Sequence, residues 1–232
     1  MTTYYNELNQ PVGFPMPEWK PCQPPPRVPL IGRLCRVVPL DPAQHARQLY
    51  EANSTATDDG DWTYLPYDPY ADFEPYLAWV QSIYQLDDPV FYAIVDQTTD
   101  RALGVASLMR IVPSLGVIEV GHIHFSRLMQ KTPMATEAMY LMMRHIFEDL
   151  GYRRYEWKCD ALNMPSRGAA QRLGFQYEGT FRQHRMYKGR SRDTAWFSIL
   201  DTEWPRIKVA FERWLSAENF DAQNQQRTKL SI

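Results

Sequence analysis

Apolar residues recur at helical spacing in two places along this chain. Phe73, Tyr76, Leu77, Val80 and Tyr84 form one stripe, which predicts a helix over roughly 72–85. Ala138, Met142, Ile146 and Leu150 form a second, along a helix from Pro133 to Leu150 that Gly151 closes. Between them lie strand-like runs at Val90–Val95, Ala102–Ile111 and Val117–Phe125. Their connections, Asp96–Asp100 and Pro113–Gly116, are short and rich in turn formers, which predicts antiparallel hairpins. Upstream, Arg33–Val38 reads as a strand, and Asp41-Pro42 opens a helix through Asn53 by the cap-plus-proline rule. Downstream come a strand at Arg153–Ala161 and a short helix at Pro165–Leu173. A hairpin of Gln176–Tyr187 and Thr194–Leu200 across Lys188–Asp193 follows, then a helix from Glu203 to Ser216. The order β α α β β β α β α β β, plus a terminal helix, is that of an α/β domain with a mixed sheet.

Residues 1–29 break this pattern. Pro11, Pro15, Pro17, Pro21, Pro24, Pro25, Pro26 and Pro29 remove backbone donors and fix φ, so an extended arm without a core of its own is expected. Trp19 and Phe14 are its anchors to the domain or to a second subunit. The domain proper is expected over 30–218, with 219–232 a polar, frayed tail. The arm and the last, aromatic helix are where a homodimer would form; a partner-docking role through the arm is the competing use of the same prolines.

Composition narrows the function. The chain is 44% hydrophobic and 22% charged, with a formal charge of −2. That is globular, and it argues against non-specific nucleic-acid binding. No apolar run reaches the roughly 18 residues of a membrane span, and Met1–Gln10 lacks an apolar signal core, so a cytoplasmic protein is expected. Cys22, Cys35 and Cys159 make neither a disulfide framework nor a metal motif, and the five histidines have no zinc spacing, so no metal is expected.

The segment Gln130-Lys131-Thr132-Pro133-Met134-Ala135-Thr136 delivers a strand into a helix. Thr132 suits the N-cap, and Pro133 suits N1, where its missing N–H is not needed. The amides of Met134, Ala135 and Thr136 then meet the positive end of the helix dipole beside the Lys131 ammonium, which suits a phosphate. An ordinary capped helix start is the alternative. Asn163 and Ser166, three apart after a strand, either cap the following helix or do chemistry.

Beyond these readings, the segments Ile118–His122, Gln130–Ala138, Asn163–Ser166, Leu173-Gly174-Phe175, Tyr177-Glu178-Gly179 and Asp201–Trp204 together resemble the GCN5-related N-acetyltransferases (GNAT). The resemblance is nearest to the branch acting on ribosomal-protein N-termini, and it covers roughly Leu30 to Trp214. It implies a GNAT-like central sheet of about seven strands and an acetyl-CoA-dependent transfer to a primary amine, either a protein N-terminus or a small amine. The family's phosphate loop has the form Gln/Arg-x-x-Gly-x-Gly/Ala. Here Gln130 and Ala135 match, while Pro133 and Lys131 stand where glycines are common. The resemblance assigns the cofactor to His124, Phe125, Gln130, Lys131, Thr132, Pro133, Met134, Ala135, Thr136 and Asn163, with a strand amide near Phe125 polarising the thioester. Ser166 becomes the general acid and Glu119 the base, in competition with a plain ion-paired role. His122 and His124 are alternative bases with pKa values nearer neutrality, expected on the opposite face of the strand from Glu119. The loop Asp58–Asp68, with Trp62, Tyr64 and Tyr67, and His122 are the expected acceptor wall, its carboxylates and aromatic faces suited to a cationic amine. The competing function is an acyl-CoA-binding sensor or interaction module without turnover.

Overall fold

The computed structural model describes residues 3–223 and 225–232. After a small hairpin of β1 (Tyr4–Tyr5) and β2 (Pro11–Val12), the sheet begins with β3 (Leu30–Ile31) and β4 (Cys35–Pro39). Helices α1 (Pro42–Asn53) and α2 (Phe73–Ile83) precede the meander β5 (Val90–Asp96), β6 (Ala102–Val112) and β7 (Val117–Phe125). Then come α3 (Pro133–Arg144), β8 (Arg154–Asp160) and α4 (Met164–Arg172). The hairpin β9 (Gln176–Tyr187) and β10 (Arg190–Leu200) and the helix α5 (Trp204–Leu215) complete the domain. The sheet has eight strands in the order β3-β4-β5-β6-β7-β8-β10-β9, one more than expected because Leu30–Ile31 adds an edge. All neighbours are antiparallel except β7 and β8, which α3 joins by a crossover.

Each face of the sheet carries its own core. Ala138 and Met142 of α3, Ile146 of the turn that follows it, and Ile207 and Phe211 of α5 pack on one face with Ile118, Val120 and Tyr155. On the other, Leu49 of α1 and Tyr76 and Val80 of α2 pack with Phe91, Ala93 and Val105. The first turn of α1 is capped as expected, Ala43 N donating to Asp41 Oδ1 at 2.8 Å. The stripe of α3 continues past Arg144 as a single wider turn, His145–Asp149, before Gly151 turns left-handed at φ +68°. Glu137, buried on α3, accepts from the amides of Arg33, Leu34 and Cys35 at 3.0, 2.6 and 2.8 Å and so fixes the start of β4.

Two expectations need correction. The last hairpin turns in two residues, because Lys188 and Gly189 both take positive φ (49° and 68°) and make the primed turn that tight hairpins favour. The C-terminal segment is docked: Asn219 Oδ1 accepts from Thr228 N at 2.9 Å, Trp214 Nε1 donates to Gln226 Oε1 at 2.9 Å, and Phe220, Leu230 and Ile232 pack against the first core. Burying three apolar side chains outweighs the polar composition that made the segment read as frayed. The arm is pinned by Trp19, whose indole donates to Ser114 O at 3.0 Å, and by Arg27, which donates to Tyr84 O at 2.7 Å. Phe14 is exposed.

Candidate active site

Strands β7 and β8 pair only from Val117↔Arg154 to Val120↔Trp157. Beyond that register β7 runs on to Phe125 against β6, and β8 runs on to Asp160 against β10. The two strands therefore part, and the facing edges of Gly121–Phe125 and Lys158–Asp160 lack a ladder between them. A cavity of about 890 Å³ fills this wedge and takes its lining from both faces of the sheet. On one side it is lined by the starts of α3 and α4, on the other by the loop around Tyr64 and the β9–β10 hairpin.

The start of α3 has the expected geometry. Thr132 is the N-cap at φ −97°, ψ 159°, with its Oγ1 accepting from Ala135 N at 3.4 Å, and Pro133 opens the helix. Gln130 Nε2 donates to Phe125 O at 2.8 Å, tying the end of β7 to this loop. Lys131 takes a left-handed conformation, φ +60°, at the position where the resemblance placed a glycine. Gln130, Lys131, Thr132, Pro133, Ala135 and Thr136 line the cavity. Met134 is outside that lining: its side chain belongs to the first core, and only its backbone amide is available to a ligand.

Asn163 and Ser166 line the opposite wall, at the end of β8 and the start of α4. Asn163 Oδ1 accepts from Ser166 N at 3.1 Å, so the capping role is realised. Capping uses the Asn163 carbonyl and leaves its amide donors. Ser166 Oγ accepts from Trp157 Nε1 at 3.0 Å. An indole can only donate, so Ser166 keeps its own hydroxyl proton, which lies within hydrogen-bond reach of the neighbouring Cys159 sulfur. The neighbouring Cys159 is held as a thiol, because burial pushes its pKa up.

Glu119 lines the cavity, is buried, and sits in an ion network. Its Oε2 accepts from Lys158 Nζ at 2.7 Å and Arg110 Nη1 at 2.5 Å, and Lys158 also bonds Glu156 Oε2 at 2.5 Å. Oε1 has no protein partner among the described residues. The expectation that Glu119 and the histidines occupy opposite faces is overturned. Between Ser107↔Gly121 and Val105↔His124 the strand β7 spends three residues against two of β6, and His122 takes φ +48°. That bulge shifts the alternation. Ile118, Val120, Ile123 and Phe125 pack on the first core, while His122 stacks on Tyr67 and His124 lies against Trp62 on the face that Glu119 shares. Nor are the histidines near neutrality. Burial first, with Arg110 adding to it for His122, pushes both pKa values down to about 4, so both rings are neutral at pH 7.

The loop expected to wall the acceptor site divides into two layers. Tyr64, with Asp61, Leu65 and Pro66, lines the cavity; Trp62 and Tyr67 stand behind it. Trp62 is buried, 4.0 Å from the His124 ring, and the Tyr67 hydroxyl lies 3.4 Å from His122 Nδ1. Three of the loop's four carboxylates are already paired, Asp61 and Asp58 with Arg127 and Asp68 with Lys188, while Asp59 is exposed and lies outside the cavity lining.

Sequence reasoning missed part of the lining. Arg172 of α4 donates through both terminal nitrogens to Thr136 Oγ1 at 3.1 Å, linking α4 to the first turn of α3. Its signal was a cation in the last turn of a helix already placed at the site. Trp214, Phe220, Gln225 and Gln226 contribute from the C-terminal region, and Arg110, Arg185, Tyr187 and Arg192 from three strands. Tyr187 donates to Asp160 Oδ2 at 2.8 Å. Among the described residues no group of three or more His, Cys, Asp or Glu is arranged to hold a metal, and no helix is long and apolar enough to cross a membrane.

Comparison with known proteins bears on the same elements. A GCN5-related N-acetyltransferase from Brucella melitensis, solved by crystallography, is 44% identical with a TM-score of 0.91, covering 93% of this chain and 97% of its own. A probable acetyltransferase (GNAT family) from Chromobacterium violaceum is 37% identical with a TM-score of 0.78, covering 84% of this chain and 98% of its own. The uncharacterized N-acetyltransferase p20 of Bacillus licheniformis is 30% identical over 113 residues; the match spans 49% of this chain and 63% of that relative's length. The family model for the acetyltransferase (GNAT) domain matches residues 36–176, from β4 through the end of the cavity-lining helix α4. The chain belongs to the GNAT acetyltransferase family.

Proposed function

We propose that this protein transfers an acetyl group from acetyl-CoA directly to a primary amine, on a protein N-terminus as in the ribosomal-protein branch or on a small molecule. The observation that carries the reading is the parting of β7 from β8 over Gly121–Phe125, between a cationic helix start and the cavity-lining Ser166 hydroxyl. The residues present fit the cofactor. Lys131 and the first amides of α3 suit its diphosphate, the unladdered edges of β7 and β8 and the Asn163 amide suit its peptide-like arm, and Ser166 would lie by its sulfur. The bound thioester supplies an activated acyl group; the protein supplies placement, which contributes on the order of 7–11 kcal/mol in favourable cases.

In the transfer the amine nitrogen forms a bond to the acyl carbon and the C–S bond breaks. The ammonium gives one proton to Glu119 Oε1, directly or through water, before the attack; the nitrogen sheds a second to water as the C–S bond breaks, while Ser166 protonates the departing thiolate and regains its proton from solvent. His122 and His124, neutral and buried, shape the wall and take no proton in this scheme.

The test follows free thiol during incubation of the full chain with acetyl-CoA and a panel of amines, with calorimetry of CoA binding alongside. Acceptor-dependent thiol release that drops about a hundredfold in Ser166→Ala, with CoA affinity kept, is the expected result. CoA binding without release for any amine would leave the sensor reading in place, and no CoA binding at all would remove both.

A further inference from the structure

The cavity lining is unbalanced in charge. Its carboxylates are Asp61, Glu119 and Asp160; its cations are Arg110, Lys131, Lys158, Arg172, Arg185 and Arg192. Each carboxylate is engaged: Asp61 with Arg127, Glu119 with Arg110 and Lys158, and Asp160 with the Tyr187 hydroxyl and Leu162 N. Lys131 and Arg172 lie on the α3–α4 side, where the cofactor is proposed to bind. Arg185 and Arg192 lie on the other side, and neither makes an ion pair among the described residues. The one bond of Arg192 there runs from Nε to Thr194 Oγ1 at 3.1 Å.

These two arginines are direct cross-strand partners, Arg192↔Arg185, in the β9–β10 hairpin. Partners in an antiparallel pair share a face with Cβ atoms about 5 Å apart, and like charges directly opposite are destabilising. The local backbone is built to keep them there. Gln183 takes φ +48°, and its amide donates to Asp193 Oδ1 at 2.7 Å, making an irregularity just before Arg185. The hairpin tip is fixed as well: Lys188 Nζ donates to Trp62 O at 2.8 Å and pairs with Asp68 at 3.1 Å. Arg110, also left-handed at φ +47°, has its amide held by Asp88 Oδ1 at 2.8 Å and its guanidinium on Glu119. Partial burial first, then the charges of Arg110 and Arg192, depress the Arg185 pKa, and Glu119 is close enough to oppose them. Strained backbone in β6 and β9 therefore flanks a positive seat next to the residue proposed to take the amine's proton.

We infer that the acceptor is an anionic amine, a primary amine whose own molecule carries a carboxylate or a phosphate that docks on Arg185 and Arg192. This deepens the acetyltransferase reading and rests on it. The inference reverses the expectation of a cation-selective wall: Asp58, Asp61 and Asp68 of the loop are paired with Arg127 and Lys188, Asp59 lies outside the cavity lining, and what the cavity leaves unpaired is positive. Guanidinium forks suit both carboxylate and phosphate.

The experiment uses matched acceptors with saturating acetyl-CoA: amino acids against their amides, peptides beginning with Glu against Gln, and peptides beginning with phosphoserine against serine. In a parallel arm, inorganic phosphate is titrated into CoA-saturated protein and followed by intrinsic tryptophan fluorescence. The anionic member of at least one pair should exceed its neutral partner about tenfold to a hundredfold in kcat/KM, the range of a charged hydrogen bond. R185Q/R192Q should erase that gap while neutral acceptors keep their rates, and R185K/R192K should restore part of it. The glutamine variant loses a repulsion, so its melting temperature should not fall. The carboxylate and phosphate pairs separate the two anion sources. Turnover of acceptors with no anionic preference, or with preference for the neutral member, overturns the inference and leaves the acetyltransferase reading standing. Absence of all turnover with phosphate still binding, and lost in R185Q/R192Q, overturns that reading and keeps the anion seat. Phosphate that binds both proteins alike, or neither, removes the seat.

Discussion

Replacing Glu119 by glutamine separates its two roles, because the amide keeps the shape and deletes the charge. Oε2 of Glu119 holds Lys158 Nζ at 2.7 Å and Arg110 Nη1 at 2.5 Å. At an effective dielectric constant near 20 one such pair carries roughly 6 kcal/mol of gross attraction, set against several kcal/mol of desolvation per ion. Breaking a buried pair costs roughly 3–5 kcal/mol when a charge is stranded. Here the loss falls at the lower end. Lys158 keeps Glu156 at 2.5 Å and the Trp196 ring at 3.8 Å, and the Arg110 side chain is 32% exposed and can turn to solvent. A destabilisation of about 3 kcal/mol is expected, or about 6–12 °C in melting temperature for a domain of this size. If Glu119 also takes the ammonium proton, kcat/KM at 25 °C falls by about 10²–10⁴, with CoA affinity unchanged.

Lys158→Met is the companion variant. It breaks the same network, leaves the Glu119 carboxylate in place with Arg110, and should match the stability loss. Denaturant titrations give the stabilities, and initial rates of thiol release well below either midpoint give the activities. Two results refute the argument. Activity in Glu119→Gln within about fivefold of wild type removes the base assignment, and equal activity losses in both variants assign the effect to the network.

Three further outcomes follow from the geometry. Lys131→Gly relieves a left-handed residue, so stability should rise by about 1 kcal/mol while CoA binds several-fold more weakly; a fall in melting temperature contradicts the strain, and unchanged calorimetric affinity contradicts the charge role. His122 and His124 have folded pKa values of about 4, below the ordinary 6.5, so the unfolded chain binds more protons between those values and stability drops as pH falls through that window. Each can contribute up to roughly 3 kcal/mol, fully present above pH 6.5; denaturation midpoints that stay flat from pH 7 to 5 contradict neutral buried rings. Truncation after Ser216 exposes the sites of Phe220, Leu230 and Ile232 and strips Trp214 of its Gln226 partner, so a loss of about 3 kcal/mol is expected by urea titration, and an unchanged midpoint means the segment is not docked.

What could be read from the residues was what local rules govern. Thr132-Pro133 and Asp41-Pro42 announce their helices because capping and a fixed φ act within three or four residues. Val117–Phe125 is a strand at the expected bounds because its apolar and β-branched content suits a pleated surface, and Gln176–Tyr187 because positive-φ turns at Gly174 and at Lys188-Gly189 delimit it. The cavity-lining set along Gln130–Ala135 was legible for the same reason, since it is one contiguous capped turn. The docked C-terminal segment was not: its affinity lies in three scattered apolar residues whose receiving surface includes Trp214 and Ile207 of α5 and the turn at Gly174.

The larger misreading came from the strands, and its cause is specific. A period of two assigns Glu119 and His122 to opposite faces, and a single inserted residue at Gly121–His122 reverses the assignment for everything after it. Neither residue advertises the bulge, since a histidine at φ +48° is uncommon and glycine also sits in regular strands. The same device recurs at Arg110 in β6 and near Gln183 in β9, each time with a carboxylate, Asp88 or Asp193, accepting from the displaced backbone amide. Each irregularity costs on the order of 1 kcal/mol or more. Each redirects a side chain near the cavity: His122 onto Tyr67, Arg110 onto Glu119, and Arg185 beside Arg192. His122, which sequence periodicity misplaced, is thus one of the residues the fold strains to position. An acceptor-side site made of bulges can change its chemistry by single insertions while the cofactor side, built on a capped helix, stays fixed.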